Sequence, residues 1–175
     1  MTRSRSTMFV FAGVVAAALS VRAQGDIVQG LATVGTTKVG LSAGMAVGYK
    51  GPNGALISVV LADNAVDLKA FGEDTRTGAG EALVPGLFMG AWKAQHFAKK
   101  LAGVTFTIGP DGVVDDEFLI GGRGHTFSVG DYVLTLKSRS PRLVGTIKTK
   151  APAVDLGNGK SAGLDALFDL AITAR

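Results

Sequence analysis

Two carboxylates and one histidine are the residues whose types and spacing best suit metal chemistry. Asp115 and Glu117 lie two positions apart in a segment that alternates like a β-strand, so both side chains are expected on one face of a sheet. His125 follows a glycine-rich turn, and a hairpin could bring it opposite them. Carboxylate and imidazole groups together suit a divalent cation. One interpretation is therefore a metal-dependent or hydrolytic enzyme centred on these three residues.

The spacing of these groups matches no established metal motif. The chain has no H-x-H or H-E-x-x-H sequence, no calcium-loop pattern and no cysteine. A solvated strand face explains the acidic residues without any metal. We therefore favour a solvated strand face over a metal site and expect no cofactor.

Two short motifs resemble catalytic or phosphate-binding loops, but their surroundings do not fit. Gly40–Gly44 reads G-x-S-x-G, the pattern of a nucleophile elbow. Only 16 residues separate it from the predicted signal peptide, residues 1–23, and the glycines that follow oppose the helix that such an elbow requires. Gly159-Lys160-Ser161 resembles a phosphate loop, but Val154 stands where that loop needs its first glycine. We predict a strand bend at the first motif and a hairpin turn at the second.

Three residues are candidates for contacting a ligand without catalysis. Trp92 is the single tryptophan and lies in an amphipathic segment, where it is either a core residue or a binding anchor. Arg123 and His125 lie in and directly after a glycine-rich turn. With two histidines and no cysteine, the chain has few groups for acid–base or nucleophilic catalysis. We therefore predict a binding or interaction module with no catalytic activity of its own, whose partner is an unidentified protein or small molecule.

Residues 1–23 have the three-part pattern of a secretory signal peptide. Arg3 and Arg5 precede the apolar run Met8–Leu19, and Val21 and Ala23 occupy the −3 and −1 positions of a cleavage site. The run is too short for a membrane-spanning helix, which needs about 20 residues. We therefore predict a periplasmic or secreted protein that does not span a membrane after signal removal, with residues 24–175 forming one β-rich domain.

The excess of positive charge comes mainly from this predicted signal. Three of the 18 basic residues, Arg3, Arg5 and Arg22, lie within it, so the remainder carries 15 basic and 14 acidic side chains. The densest basic cluster outside it, Lys137–Arg142, reads as a solvated strand end and turn. Neither feature resembles a nucleic-acid-binding surface, and we expect no nucleic-acid partner.

Short apolar runs separated by glycine-rich turns predict a mainly β fold. The 25 glycines are unfavourable inside helices and suit turns and bends. One helix is predicted over Leu87–Leu101, where apolar residues recur at helical spacing. The spacing of the strands favours an antiparallel β-sandwich or a small closed barrel with one short helix. The predicted strands are Ile27–Val34, Lys38–Lys50, Ala55–Ala62, Gly103–Ile108, Val113–Ile120, His125–Val129, Tyr132–Lys137, Leu143–Lys148 and Leu164–Ala171.

The second half of the chain carries a set of strand and turn motifs. They are the strand Gly103–Ile108, the turn Asp111-Gly112, the strand Leu143–Ile147 and the ending Asp165–Phe168. This pattern resembles uncharacterised secreted bacterial β-sandwich proteins without an assigned activity. The resemblance implies a compact β-sandwich and supplies no catalytic residue.

Assembly is a third possible function. An exposed edge strand offers unpaired backbone groups to a second chain, and Ile27–Val34 is the predicted edge because it would begin the mature protein. The protein would then be a structural or assembly component, and a homo-oligomer is one form that this could take.

Overall fold

The computed structural model describes residues 25–51, 54–65, 92–98, 100–126, 131–156 and 159–174. The predicted signal peptide, residues 1–23, lies outside these ranges. Strands account for 70% of the described residues, so the predicted mainly β fold is confirmed. A short helix, α1, covers residues 92–97. The strands within these ranges are β1 (Ile27–Val34), β2 (Thr37–Leu41), β3 (Ala43–Gly51), β4 (Gly54–Ala62), β5 (Gly103–Gly109), β6 (Gly112–Ile120), β7 (Arg123–His125), β8 (Tyr132–Ser138), β9 (Arg142–Thr149), β10 (Val154–Asp155) and β11 (Ser161–Ala174).

The strands form one sheet that is not closed into a ring within the described residues. Its main path runs β2-β1-β11-β3-β4-β5-β6-β7, while β9 pairs with the opposite edge of β11 and β8 pairs with β9. The described pairings are antiparallel, as predicted, except that β11 and β3 run parallel. The exception arises because β11 extends past the ends of β1 and β9 and continues alongside β3.

β11 is the central strand of the fold, with 14 residues. Leu164, Ala166, Phe168 and Leu170 are buried in the core, while the residues between them point to the other face of the sheet. This is the period of two that the sequence predicts for Leu164–Ala171. The strand pairs with β1 on one side and with β9 on the other, so both neighbours depend on its alternation.

An arginine fixes the point at which β11 leaves β9. Arg142 donates from Nε to the Asp169 carboxylate, and its Nη2 lies 3.2 Å from Oδ1 of Asp26. The hydrogen bond to Asp169 raises the pKa of the Arg142 guanidinium, so this group stays charged. Asp26 also accepts a bond of 2.7 Å from the amide of Ala171. The next residue, Ile172, already pairs with β3.

The main core draws side chains from both parts of the sheet, which are β2-β1-β11-β9-β8 and β3-β4-β5-β6-β7. Phe106 of β5 and Phe168 of β11 lie in contact, with ring centroids 6.1 Å apart. Apolar side chains of β1–β6, β8 and β9 surround them. The two parts of the sheet therefore stabilise each other by burying one continuous apolar cluster.

A second, smaller cluster covers the other face of β3–β6. Trp92 of α1 packs there against Val60, Ala62 and Leu119. Because Val59 and Leu61 face the main core, β4 is buried on both faces, as its nearly continuous apolar sequence predicts. The predicted helix is confirmed over residues 92–97 but does not reach Leu101, since residues 98, 100 and 101 are not helical; residues 87–91 lie outside the described ranges.

Three predicted strand assignments need correction. The strand predicted over His125–Val129 is instead β7, Arg123–His125, because Thr126 is not in a strand and residues 127–129 lie outside the described ranges. Ile27–Val34 is not an edge, because β1 lies between β2 and β11. The predicted strand Lys38–Lys50 is divided at Ser42, where the chain leaves β1 as its neighbour and joins β4. In the part of the chain that the structure describes, no helix has the length and hydropathy needed to cross a membrane.

Candidate functional site

The three predicted metal ligands do not meet. Asp115 and Glu117 lie on the face of β6 that points away from the main core, as their spacing predicts. His125 in β7 pairs with Phe118, whose side chain belongs to the main core, and cross-strand partners share one face. His125 is therefore on the opposite face from the two carboxylates. The described residues contain no group of three His, Asp or Glu side chains that could hold a metal ion.

Glu117 has a structural partner instead. Its Oε2 lies 3.0 Å from Nζ of Lys93, which ties α1 to β6. The carboxylate also occupies the space above Gly124, where a Cβ atom would come within 2.8 Å of Oε1. Glu117 therefore helps to position the helix over the second cluster, while Asp115 is exposed to solvent.

The three predicted ligand-contacting residues lie on two elements, Trp92 on α1 and the other two on β7. Trp92 is fully buried beneath α1 in the second cluster, so it occupies the core position that was one of its two interpretations. Arg123 lies in β7 opposite Ile120. His125 is half-buried at the end of the same strand.

The two loop motifs are turns and bends, as predicted. Ser42 joins β2 to β3, and its hydroxyl donates to the carbonyl of Asp63 over 3.0 Å. Gly159 has a positive φ of 71°, and the amide of Leu156 bonds the carbonyl of Lys160 over 2.9 Å. The second motif therefore closes the hairpin between β10 and β11.

The most distinctive feature is an unpaired seam between β6 and β8. β8 pairs with β9 alone, and β6 pairs with β5 over most of its length and with β7 only at its last residues. No backbone pairing joins β6 to β8 in the described sheet. Within the described residues, no strand pairs with β8 on the side away from β9, and none pairs with the first half of β6 on the side away from β5.

A tyrosine and an aspartate hold one end of the seam. The hydroxyl of Tyr132, the first residue of β8, donates to Oδ2 of Asp116 in β6. Both side chains are buried beside the main core. Burial, reinforced by the bond to Asp116, raises the pKa of the Tyr132 phenol well above its ordinary value. The phenol is therefore a neutral donor to the carboxylate at neutral pH.

An arginine holds the other end. Arg139 directly follows β8, and its Nη2 donates to the carbonyl of Gly109 over 2.8 Å. Gly109 ends β5 beside the tight turn that leads into β6, where Gly112 has a φ of 138°. Two arginines of the predicted solvated basic cluster, Arg139 and Arg142, thus bond to other parts of the fold.

A cavity of about 730 Å³ lies between these two bridges. The turn residues Pro110 and Asp111 line one side, together with Val113 of β6. Leu134 and Leu136 of β8 line the other, and both are half-buried against the main core. The seam thus combines two strands that do not pair with each other, leucine and valine side chains on its core side, and a mixed polar rim that includes Asp111 and Arg139.

We expect Tyr132→Phe to change the alkaline stability of the protein. Since the folded state raises the pKa of Tyr132, it retains a proton that the unfolded chain releases above about pH 10. The free energy of unfolding therefore falls as the pH rises beyond that value, by up to about 1.4 kcal/mol per pH unit from this group. The variant should lack that part of the slope.

Denaturant unfolding of both proteins between about pH 9 and 11 measures the difference. At neutral pH the variant should also be less stable by about 1–3 kcal/mol, because Asp116 loses a donor in a buried position. An alkaline slope that is the same in both proteins would contradict the assignment.

Sequence reasoning did not identify the seam residues. Asp116, Tyr132 and Arg139 lie in separate segments within residues 116–139, and none belongs to a motif. One signal was present, since Asp116 is a carboxylate whose alternation with Glu117 places it on the core face of β6. A buried carboxylate requires a partner, and the partner reveals the neighbouring strand.

The comparisons with known proteins leave the site to be interpreted from its geometry. No protein-family model matches the chain, and no curated protein or solved structure gives a significant match.

Proposed function

We propose that this protein is an exported binding module that takes up an extended peptide segment of a partner protein as an additional strand in the seam between β6 and β8. The observation that carries the proposal is that β6 and β8 flank a cavity without pairing, while side chains link β8 to β6 at Asp116 and to the end of β5 at Gly109. Strand addition is an established mode of peptide recognition by open sheet edges.

The backbone supplies the affinity in this mode. An inserted strand would lie about 4.8 Å from each neighbour and would form ladder hydrogen bonds with the facing edges of β6 and β8. The seven residues of β8 set the length of the recognised segment. Such bonds do not depend on the side chains of the peptide, so the lining of the cavity determines which sequences bind.

The lining favours alternate apolar residues in the peptide. Leu134, Leu136 and Val113 offer apolar surface on the core side of the seam. Peptide side chains on that face would be shielded from water, while those between them would point to solvent. Arg139 at the mouth favours an acidic residue at one end of the peptide, because its charge lies within the lining.

Tyr132, Asp116 and Arg139 suit a role in holding strands in place better than a role in catalysis. The raised pKa keeps Tyr132 protonated, so it is not prepared to act as a base or a nucleophile. Its bond to Asp116 ties β8 to β6, and the bond from Arg139 ties the end of β8 to the end of β5. We infer that the two parts of the sheet form a β-sandwich that is open at this seam, and that the bridges keep it ready for a strand.

Export places the binding site outside the cytoplasm in this proposal. The signal-like residues 1–23 support a periplasmic or secreted location. Cell fractionation with mass determination of the N-terminus tests this part separately. A cytoplasmic protein that begins at Met1 would refute the location and leave the seam untouched.

Selection from a displayed library of random peptides of about ten residues tests the binding function, since this length exceeds that of β8. Selected peptides should show alternating apolar residues. Their binding should slow amide hydrogen exchange in Tyr132–Ser138 and in Gly112–Glu117. Methylation of alternate backbone nitrogens of the peptide should weaken binding, because it removes donors to one edge.

A pair of neighbouring substitutions provides the matched control. Leu134→Ser alters the lining and should weaken peptide binding at least about tenfold, since it removes about 1.5 kcal/mol or more of apolar contact. Thr135→Ser changes the adjacent residue on the outer face and should leave the affinity within about threefold. Equal effects of the two substitutions, or exchange protection elsewhere in the sheet, would refute strand addition.

A further inference from the structure

The outer face of the sheet formed by β2, β1, β11, β9 and β8 exposes several large apolar side chains. Six large apolar side chains are exposed among the described residues, and four of them lie on this face. They are Ile27, Leu31, Val133 and Leu167, each between 39% and 44% exposed. Threonine and glutamine side chains lie between them. We call this surface, on the side opposite the main core, the outer face.

The central row of the outer face places one acidic and one basic side chain between two apolar ones. Strand register places Leu31 of β1, Asp165 of β11, Lys148 of β9 and Val133 of β8 side by side. The row therefore reads apolar, acidic, basic, apolar across four strands. Asp165 and Lys148 are both exposed at its centre.

This order is complementary to itself. A two-fold axis between two copies, parallel to the strands and passing between β11 and β9, reverses the row. It places Asp165 of each copy against Lys148 of the other, and Leu31 of each against Val133 of the other. Opposite charges then meet twice and apolar side chains meet twice. A two-fold interface requires this kind of self-complementary surface.

The size of the outer face is sufficient for a specific interface. The axis leaves β2 outside the overlap, so four strands at about 4.8 Å span about 19 Å, and the eight residues of β1 span about 27 Å. Two copies packed over this area would bury roughly 1,000 Å², about the smallest area expected of a specific interface. Face-to-face packing of two sheets is a common arrangement in β proteins.

We propose that the outer face is the interface of a two-fold symmetric dimer of this chain, in which Asp165 of each copy pairs with Lys148 of the other. The seam between β6 and β8 lies at the side of this face, and Val133 of β8 borders both, so the two sites adjoin. The occupant is a second copy because the charge row complements itself.

Sedimentation equilibrium of the whole chain and a set of charge variants tests the dimer. Lys148→Glu places two acidic residues against each other at both central contacts, and Asp165→Lys places two basic ones. Each should raise the dimer dissociation constant at least about 30-fold. The double variant Lys148→Glu/Asp165→Lys restores opposite charges and should return the constant to within about threefold of the original.

Lys50→Glu is the matched control, because it makes the same change of net charge at an exposed position on β3, away from the outer face. It should leave the dissociation constant unchanged. Circular dichroism and thermal unfolding check that each variant folds. A monomer at every concentration of the original chain would overturn the proposal. So would single variants that associate as the original does, or a double variant that remains as weak as the singles.

Discussion

Phe168→Ala is expected to lower the free energy of unfolding by about 3–5 kcal/mol, the range for removing a buried aromatic side chain. Phe168 is 1% exposed and lies on β11, whose neighbours are β1 on one side and β9 on the other. Its ring contacts Phe106 of β5, which belongs to the other part of the sheet. The substitution leaves a cavity at the place where both parts of the sheet meet.

Phe97→Ala makes the same chemical change at an exposed site and is the control. Phe97 is 62% exposed on α1, so its removal should cost less than about 1 kcal/mol. Denaturant unfolding of the two variants and the original protein gives both values. Similar losses in both variants would mean that the core is not centred on Phe168.

Gly103→Ala should be at least as damaging, with a cost of about 3 kcal/mol or more, because the added methyl group has no space. A Cβ at this position would lie 2.7 Å from Cα of Ala62 and closer still to the carbonyl oxygen of Leu61. Both are backbone atoms of β4, paired directly with Gly103. The strands must separate to accommodate the methyl group, and this weakens both clusters that β4 stabilises.

Gly40→Ala is the matched substitution in β2. A Cβ there would meet no atom within 4 Å, so the change in stability should stay within about 0.5 kcal/mol. Thermal unfolding of both glycine variants is the measurement. A Gly103→Ala protein that unfolds with the same midpoint as Gly40→Ala would show that β4 and β5 are not in close contact.

Local sequence patterns predicted the strands well because the alternation of apolar and polar residues lies within each strand. The buried positions of β11, from Leu164 to Leu170, follow a period of two without interruption. The nearly continuous apolar sequence of β4 correctly indicated burial on both faces. Asn-Gly and Asp-Gly signals correctly indicated turns, since Gly112 and Gly159 have positive φ.

The order of the strands was not available from such patterns. Ile27–Val34 was expected at an edge from its place in the sequence, yet the distant Ser161–Ala174 pairs beside it. Pairing between segments more than a hundred residues apart leaves no trace in either segment alone. The seam was not predictable for the same reason, because a strand edge is open only when no other strand lies next to it.

The predicted metal group failed for a related reason. The spacing of Asp115 and Glu117 correctly placed both on one face of β6. The face of His125 depends on its register against β6, which pairs it with Phe118 instead of Glu117. A shift of one residue in this hairpin reverses the face, and the turn residues did not determine that register.

The late position of β11 in the chain has a consequence for biosynthesis. β1 leaves the ribosome long before its partner is made, since the two strands are separated by most of the described fold. At about 5–20 residues per second, the delay is on the order of ten seconds. During this time β1 lacks the partner strand that β11 later provides. The part of the sheet that joins β1, β11 and β9 therefore forms only after β11 has been made, whereas β3–β6, which pair in order along the chain, have their partners earlier.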